Sequence, residues 1–202
     1  MSSLVPFPPE FYARGTEEVA RELLGAWLVH GPAGGVVVET EAYFGPEDPA
    51  SHAWRGPTPR SRIMFEEPGR AYVYFIYGSH HCLNAVAHPP GGVGAVLIRA
   101  LEPRVGLDLM RERRGGCEDR RLASGPGRLC QALGIDGKAA GLPLHRGDLV
   151  FGPPPPGAKR PVGHPDRGPR VGVSRAVEEP LRFWLEGNPH VSRRTSRMQP
   201  AP

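Results

Sequence analysis

Lysine is nearly missing from this 202-residue chain: of its 25 basic residues only Lys138 and Lys159 are lysine, and the other 23 are arginine. GC-rich codons favour Arg, Gly, Pro and Ala together, which accounts for the ratio but not for the net charge of +4. That basic excess points to an anionic partner, and arginine's planar fork suits phosphates and base edges. Cysteine is also scarce. Cys82, Cys117 and Cys130 are odd in number and far apart, with no C-x-x-C pair. This excludes a disulfide framework or zinc ribbon and fits a reducing cytoplasm. No apolar run approaches the roughly 20 residues a membrane span needs. The opening Met1-Ser2-Ser3-Leu4 lacks the basic and apolar parts of a signal peptide. There is no GxxxxGK[ST], no GxGxxG after a strand, no GxSxG and no HExxH, which disfavours nucleotide-driven and serine-hydrolase chemistry.

What is abundant is punctuation. Twenty-five prolines and 27 glycines interrupt apolar segments instead of forming one tract, so the chain reads as rich in turns. Residues 1–15 read as an irregular lead-in. A short helix follows, capped by Thr16, with an apolar stripe of Val19, Leu23 and Leu24 and a stop at Gly25. Ala26 to Val29 fits a first strand and 31–35 a turn. Strands are expected at Tyr72 to Tyr77, His81 to Val86 and Ala95 to Ala100, the first two joined by a hairpin tip at 77–80. Helices are expected at 105–114 and Leu129 to Leu133. Residues 151–170 read as a Pro-rich excursion with polyproline character, Val171 to Val173 and Leu181 to Leu185 as closing strands, and 193–202 as a frayed basic tail. The expectation is a single α+β domain over 1–202, with a mostly antiparallel curved sheet, peripheral helices and long loops.

The stretch Val36-Val37-Val38-Glu39-Thr40-Glu41-Ala42-Tyr43 organises the rest. Strand alternation puts Val36, Val38, Thr40 and Ala42 on one face and Val37, Glu39, Glu41 and Tyr43 on the other. Two carboxylates and an aromatic suit a pocket floor better than a core. Either Glu can act as a general base in an apolar-walled pocket or pair with a nearby arginine. As a sugar-flanking pair they are poorly placed, two residues apart on one strand. His80-His81-Cys82 invites a metal reading, but no third or fourth ligand is suitably spaced, and a polar hairpin tip explains it as well. Tyr43, Tyr72, Tyr74 and Tyr77 are either core aromatics or stacking platforms for bases beside Arg-rich loops. The loop 44–71 is long enough to be functional, and segment 104–128 carries seven Arg and four acids.

With those residues assembled, the chain resembles the alkyladenine (3-methyladenine) DNA glycosylase family, in the compact bacterial form. The resemblance runs from about Arg21 to Val191. It rests on RELLG at 21–25, VVETEAYFGPEDPASHA at 37–53, PRSRIMF at 59–65, YVYFIYG at 72–78 with CLN at 82–84, LIRALEP at 97–103, SGPGRLCQAL at 124–133 and PLRFW at 180–184. It implies a monomeric base-excision-repair enzyme that needs neither metal nor organic cofactor. Such an enzyme flips damaged purines (3-methyladenine, 7-methylguanine, hypoxanthine, ethenoadenine) from double-stranded DNA and hydrolyses the N-glycosidic bond. By the same match, Glu41 activates the water and Arg99 positions it. Tyr43 and Tyr74 sandwich the base, with His52 at its opposite face or edge, and Asn84 borders the pocket. Tyr77 fills the gap in the stack, Arg60, Arg62 and Arg128 hold the DNA backbone, and a backbone carbonyl in 171–173 helps hold the water. No lysine lies near these motifs, so no Schiff-base lyase step is expected. A non-catalytic nucleic-acid-binding module on the same sheet is the alternative. Ser79 and His80 depart from the larger residues of vertebrate members beside Tyr77.

Overall fold

The computed structural model describes residues 4–192; the tail expected at 193–202 lies outside them. The chain folds as an α+β arrangement: α1 (Pro9–Tyr12), α2 (Thr16–Glu22), β1 (Trp27–His30), β2 (Ala33–Phe44), β3 (Ala71–Ile76), β4 (His80–Val86), β5 (Gly94–Val105), α3 (Leu107–Arg113), α4 (Pro126–Leu133), β6 (Leu149–Gly152), β7 (His164–Gly168) and β8 (Arg182–Glu186). The strands form one curled sheet in the order β3-β4-β5-β2-β1-β6, with β8 also on β2 and β7 on β8. All these pairings are antiparallel.

The twelve-residue β2 is the hub. β5 runs along one edge, while β1 takes residues 33–36 of the other edge and β8 takes 39–41. Paired on both edges and covered on both faces, β2 is buried from Ala33 to Ala42. Its alternation is not strict. Between Val37↔Leu101 and Glu39↔Ala100, β2 holds one extra residue, Val38; one step later β5 holds one extra, Arg99. Such a bulge re-aims side chains. Val37, not Val36 or Val38, therefore joins Ala42 in the main core, and Val38 packs in a small separate cluster with Ala100 and Leu185. Glu39, Glu41 and Tyr43 keep the shared face that alternation predicts.

That core face packs against α2 and α4. Val19 and Ala20 from α2 with Leu23 just after it, and Leu129, Cys130, Ala132 and Leu133 from α4, join Val73, Leu83, Ala85, Val96, Ile98 and Leu101 in one cluster. Fully burying each large apolar side chain contributes about 1.5–3 kcal/mol. The alternate residues, Tyr72 and Tyr74 on β3, Cys82 and Asn84 on β4, Leu97 and Arg99 on β5, and Tyr43 on β2, line a groove on the other face. The loop between β2 and β3 closes one side of this groove by burying Ala53 and Met64 against Tyr72, Val86 and Ala95.

Several local expectations change. Thr16 does not cap α2; it is the first helical residue, and its hydroxyl donates to the Ala87 carbonyl (2.8 Å). The lead-in contains α1, whose Tyr12 is fully buried. β5 extends to Val105, well beyond the predicted Ala100. The Pro-rich segment 151–170 is flanked by strands, β6 at its start and β7 at its end. Residues 171–173 form a bend, not a strand, with Gly172 at φ 75°.

The close approach of β2 and β5 requires Gly35, because an added Cβ would run into the Glu102 backbone carbonyl. Gly35→Ala is expected to destabilise the fold by about 1–3 kcal/mol, measured by chemical denaturation; an unchanged midpoint would show that the strands have room to part.

Candidate active site

The groove encloses about 1200 Å³. Arg99, the bulge residue of β5, reaches from its floor to both carboxylates of β2. Its Nε donates to Glu39 Oε1 (2.8 Å) and its NH1 to Glu41 Oε2 (3.3 Å). Both glutamates have no solvent exposure. Burial opposes the Arg99 charge, but Glu41 and Glu39 outweigh it and hold the guanidinium above its ordinary value.

The two glutamates have different surroundings. Glu39 takes four donors: Arg99 Nε and Arg182 Nε (2.7 Å), and the Ser192 hydroxyl (2.9 Å) and amide (2.7 Å). It is a structural ion-pair partner of two arginines. Glu41 takes three: Arg99 NH1 and the Tyr43 hydroxyl (2.8 Å) on Oε2, and the Val171 amide (2.7 Å) on Oε1. The bend at 171–173 thus gives its first N–H to Glu41 in place of a sheet ladder. Burial, followed by the Glu41 charge, holds the Tyr43 hydroxyl well above its ordinary value, so it stays a donor.

The aromatic residues gather as the sequence predicts. Tyr74 and Tyr72 lie with ring centroids 5.3 Å apart, and His52 meets Tyr74 edge-on at 4.7 Å while its Nδ1 bonds the Tyr72 hydroxyl (2.8 Å). His52 and Tyr74 are therefore in contact, on one wall of the groove. Burial pushes Tyr72 up to about 12. Burial, aided by the nearby Arg60 charge, lowers His52 to about 4, so its ring is neutral at physiological pH. Asn84 is buried, donating to the Tyr72 carbonyl (3.0 Å).

Tyr77 stands at the β3–β4 hairpin tip, 86% exposed and at φ 54°, a left-handed conformation rare for a bulky residue. Arg128 lines the groove from α4 and donates to the Ser124 carbonyl (3.1 Å). Arg60 lies over the Tyr74 ring at 4.7 Å. Arg62 is exposed on the short turn at 62–65, away from the groove lining. Sequence reasoning did not single out Arg120, Arg121 and Arg175, which also line the groove with Arg55, nor the Asp48–Arg170 pair beneath Tyr43. Chain order separates these residues, and only their convergence in space marks them. The groove lining holds six arginines and no carboxylate side chain. Among the described residues no cluster of His, Cys, Asp and Glu could hold a metal ion, His80 and Cys82 included, and no helix is long and apolar enough to cross a membrane.

Comparison with known proteins places this arrangement among the DNA glycosylases, hydrolases of N-glycosyl bonds in DNA repair. The family model described as methylpurine-DNA glycosylase (MPG) matches residues 10–189. The chain is 49% identical over 185 residues to a Rhodopseudomonas palustris protein named "Putative 3-methyladenine DNA glycosylase", covering 91% of this chain and 86% of that one. Relatives of the same name occur in Agrobacterium fabrum (47%, covering 93% and 92%) and Methanoculleus marisnigri (49%, covering 93% and 98%). The chain belongs to the methylpurine-DNA glycosylase family, and its substrate is DNA.

Glu39→Ala would leave Arg99 and Arg182 buried without their shared carboxylate. It is expected to cost about 3–5 kcal/mol, read by thermal or urea unfolding; a loss below about 1 kcal/mol would show that the network is not structural.

Proposed function

We propose that this protein is a monofunctional glycosylase that excises damaged purines (3-methyladenine, 7-methylguanine, hypoxanthine and ethenoadenine) from duplex DNA by flipping the base and directing a Glu41-activated water at C1′. The observation that carries the reading is a fully buried carboxylate, Glu41, whose three hydrogen-bond donors, Tyr43, Arg99 and Val171, all line an aromatic groove whose charged side chains are all arginine. A carboxylate offers about four lone-pair positions. On Glu41 the Arg99 and Tyr43 donors fill Oε2, and Oε1 takes only the Val171 amide, so one position is free on Oε1. Oε1 of Glu41 is thus the atom to accept a proton from water, and a backbone carbonyl of 171–173, the segment whose first amide holds Oε1, completes the hold on that water.

The chemistry follows from the charges. N-glycosidic cleavage passes through an oxocarbenium-like state, which a carboxylate below the sugar stabilises as it activates water. Arg99 orients Glu41 and meets the adjacent phosphate. Tyr43 forms one wall of the base pocket and Tyr74 with His52 the other. Neutral His52 adds no positive charge against an alkylated, cationic purine, which aromatic faces attract. Asn84 borders the pocket and excludes the 2-amino group of guanine. Tyr77 enters the vacated stack, while Arg60, Arg62 and Arg128 hold phosphates. Neither lysine lies in the groove lining, so hydrolysis without a lyase step is the natural course. The reading includes a monomer of one domain acting on chromosomal DNA in the cytoplasm.

Glu41→Gln is expected to retain binding to lesion duplexes and lose base release by about 100-fold or more; single-turnover release at the wild-type rate would remove Glu41 as the base. Tyr77→Ala is expected to weaken binding and slow release by about 10-fold or more, measured on a hypoxanthine duplex; unchanged values would mean that another residue fills the stack.

A further inference from the structure

Tyr43 is supported from behind by a buried ion pair that never reaches the groove. The Arg170 side chain has no solvent exposure, and Asp48 has 3%. The pair is bidentate, at 2.5 Å and 2.9 Å, and Arg170 NH1 also donates to the Ala42 carbonyl (3.0 Å). Asp48 in turn accepts the amides of Phe44 (3.1 Å) and Ala50 (3.0 Å), which ties it to the end of β2. The guanidinium carbon lies 4.7 Å from the Tyr43 ring centroid. One residue further on, the Val171 amide holds Glu41. Neither Asp48 nor Arg170 is part of the groove lining.

We infer that Asp48 and Arg170 are positioning residues that set how strongly the open face of Tyr43 attracts a cationic purine relative to a neutral one. The guanidinium covers one face of the ring, so a base has only the other. A cation behind an aromatic ring draws electron density toward itself and weakens cation attraction on the far face. Asp48 offsets that charge through the bidentate pair. The pair supports the ring mechanically while leaving a small positive field on it. The same anchor fixes the start of the 171–173 bend, so the base wall and the hydrogen bond to Glu41 are set by one device.

This inference rests on the reading that the excised base stacks on Tyr43, and its test separates the two. The measurement is the ratio of single-turnover release rates from duplexes carrying 7-methylguanine, a cation, and hypoxanthine, which is neutral. Asp48→Asn leaves Arg170 uncompensated and is expected to lower the cationic-to-neutral ratio by roughly three- to ten-fold. The double variant Asp48→Asn with Arg170→Gln removes both charges without stranding either, and is expected to return the ratio to the wild-type value or above it. A purely structural role would slow both lesions equally and leave the ratio unchanged in every variant, which would overturn the inference. If Asp48→Asn folds poorly, Arg170→Gln tests the same point from the other side. It removes the cation behind the ring and is expected to raise the ratio by about three-fold or more; an unchanged ratio would overturn the inference. Loss of all release in Glu41→Gln together with an unchanged ratio in Asp48→Asn would leave the proposed reaction standing and remove only this inference.

Discussion

The site depends on one contact, Arg99 between Glu39 and Glu41. Two buried carboxylates on neighbouring positions of one strand face would repel strongly in a low-dielectric interior. Arg99 bridges them, and Arg182 supplies the second positive charge, so the four groups sum to zero. Buried ion pairs of this kind seldom stabilise a fold more than packed apolar residues would. Their retention here is better understood as the means of holding a carboxylate dry and oriented behind the residues that line the groove.

The placement of Arg99 comes from the backbone. It occupies an extra position on β5, one step from the extra Val38 of β2. Without the paired bulges, regular alternation would carry Glu39 to the face of Val37, which is main core. The irregularity therefore separates the sheet into a face that packs on α2 and α4 and a face that carries charge. β8 adds Arg182 opposite Glu41 and meets β2 only at residues 39–41, where the carboxylates lie.

Much of this was legible in the sequence. The spacing of Glu39, Glu41 and Tyr43 and the tyrosines of β3 revealed a polar, aromatic face, because period-two alternation survives on the groove side. The hairpin tip at Tyr77-Gly78 followed from its turn residues. The bulges were not legible, since three consecutive valines are equally compatible with either face. Nor was the bend at 171–173, whose valines read as strand although the amide of the first goes to Glu41. The helix cap failed for a related reason: the Thr16 hydroxyl is taken by a carbonyl 71 residues away. Local propensity describes what a segment prefers alone, and at these positions a long-range partner decided instead.

Two glutamates two residues apart, identical in type and equally buried, are separated by the partners that hold them. Glu39 is held by two arginines and by both donors of Ser192, so its charge is committed to neutralising Arg182 as well as Arg99. Glu41 pairs with Arg99 alone among the described arginines, and its three donors, Arg99, Tyr43 and Val171, all line the groove. Loss of a Ser192 donor would leave Glu39 still paired with both arginines. Loss of the Tyr43 hydroxyl would free an acceptor position on Glu41 Oε2 and unfix that carboxylate at the same time. The aromatic wall and the acid are therefore one unit: the ring that would stack on a base also orients the group beneath the sugar, so base placement and water activation cannot be tuned independently.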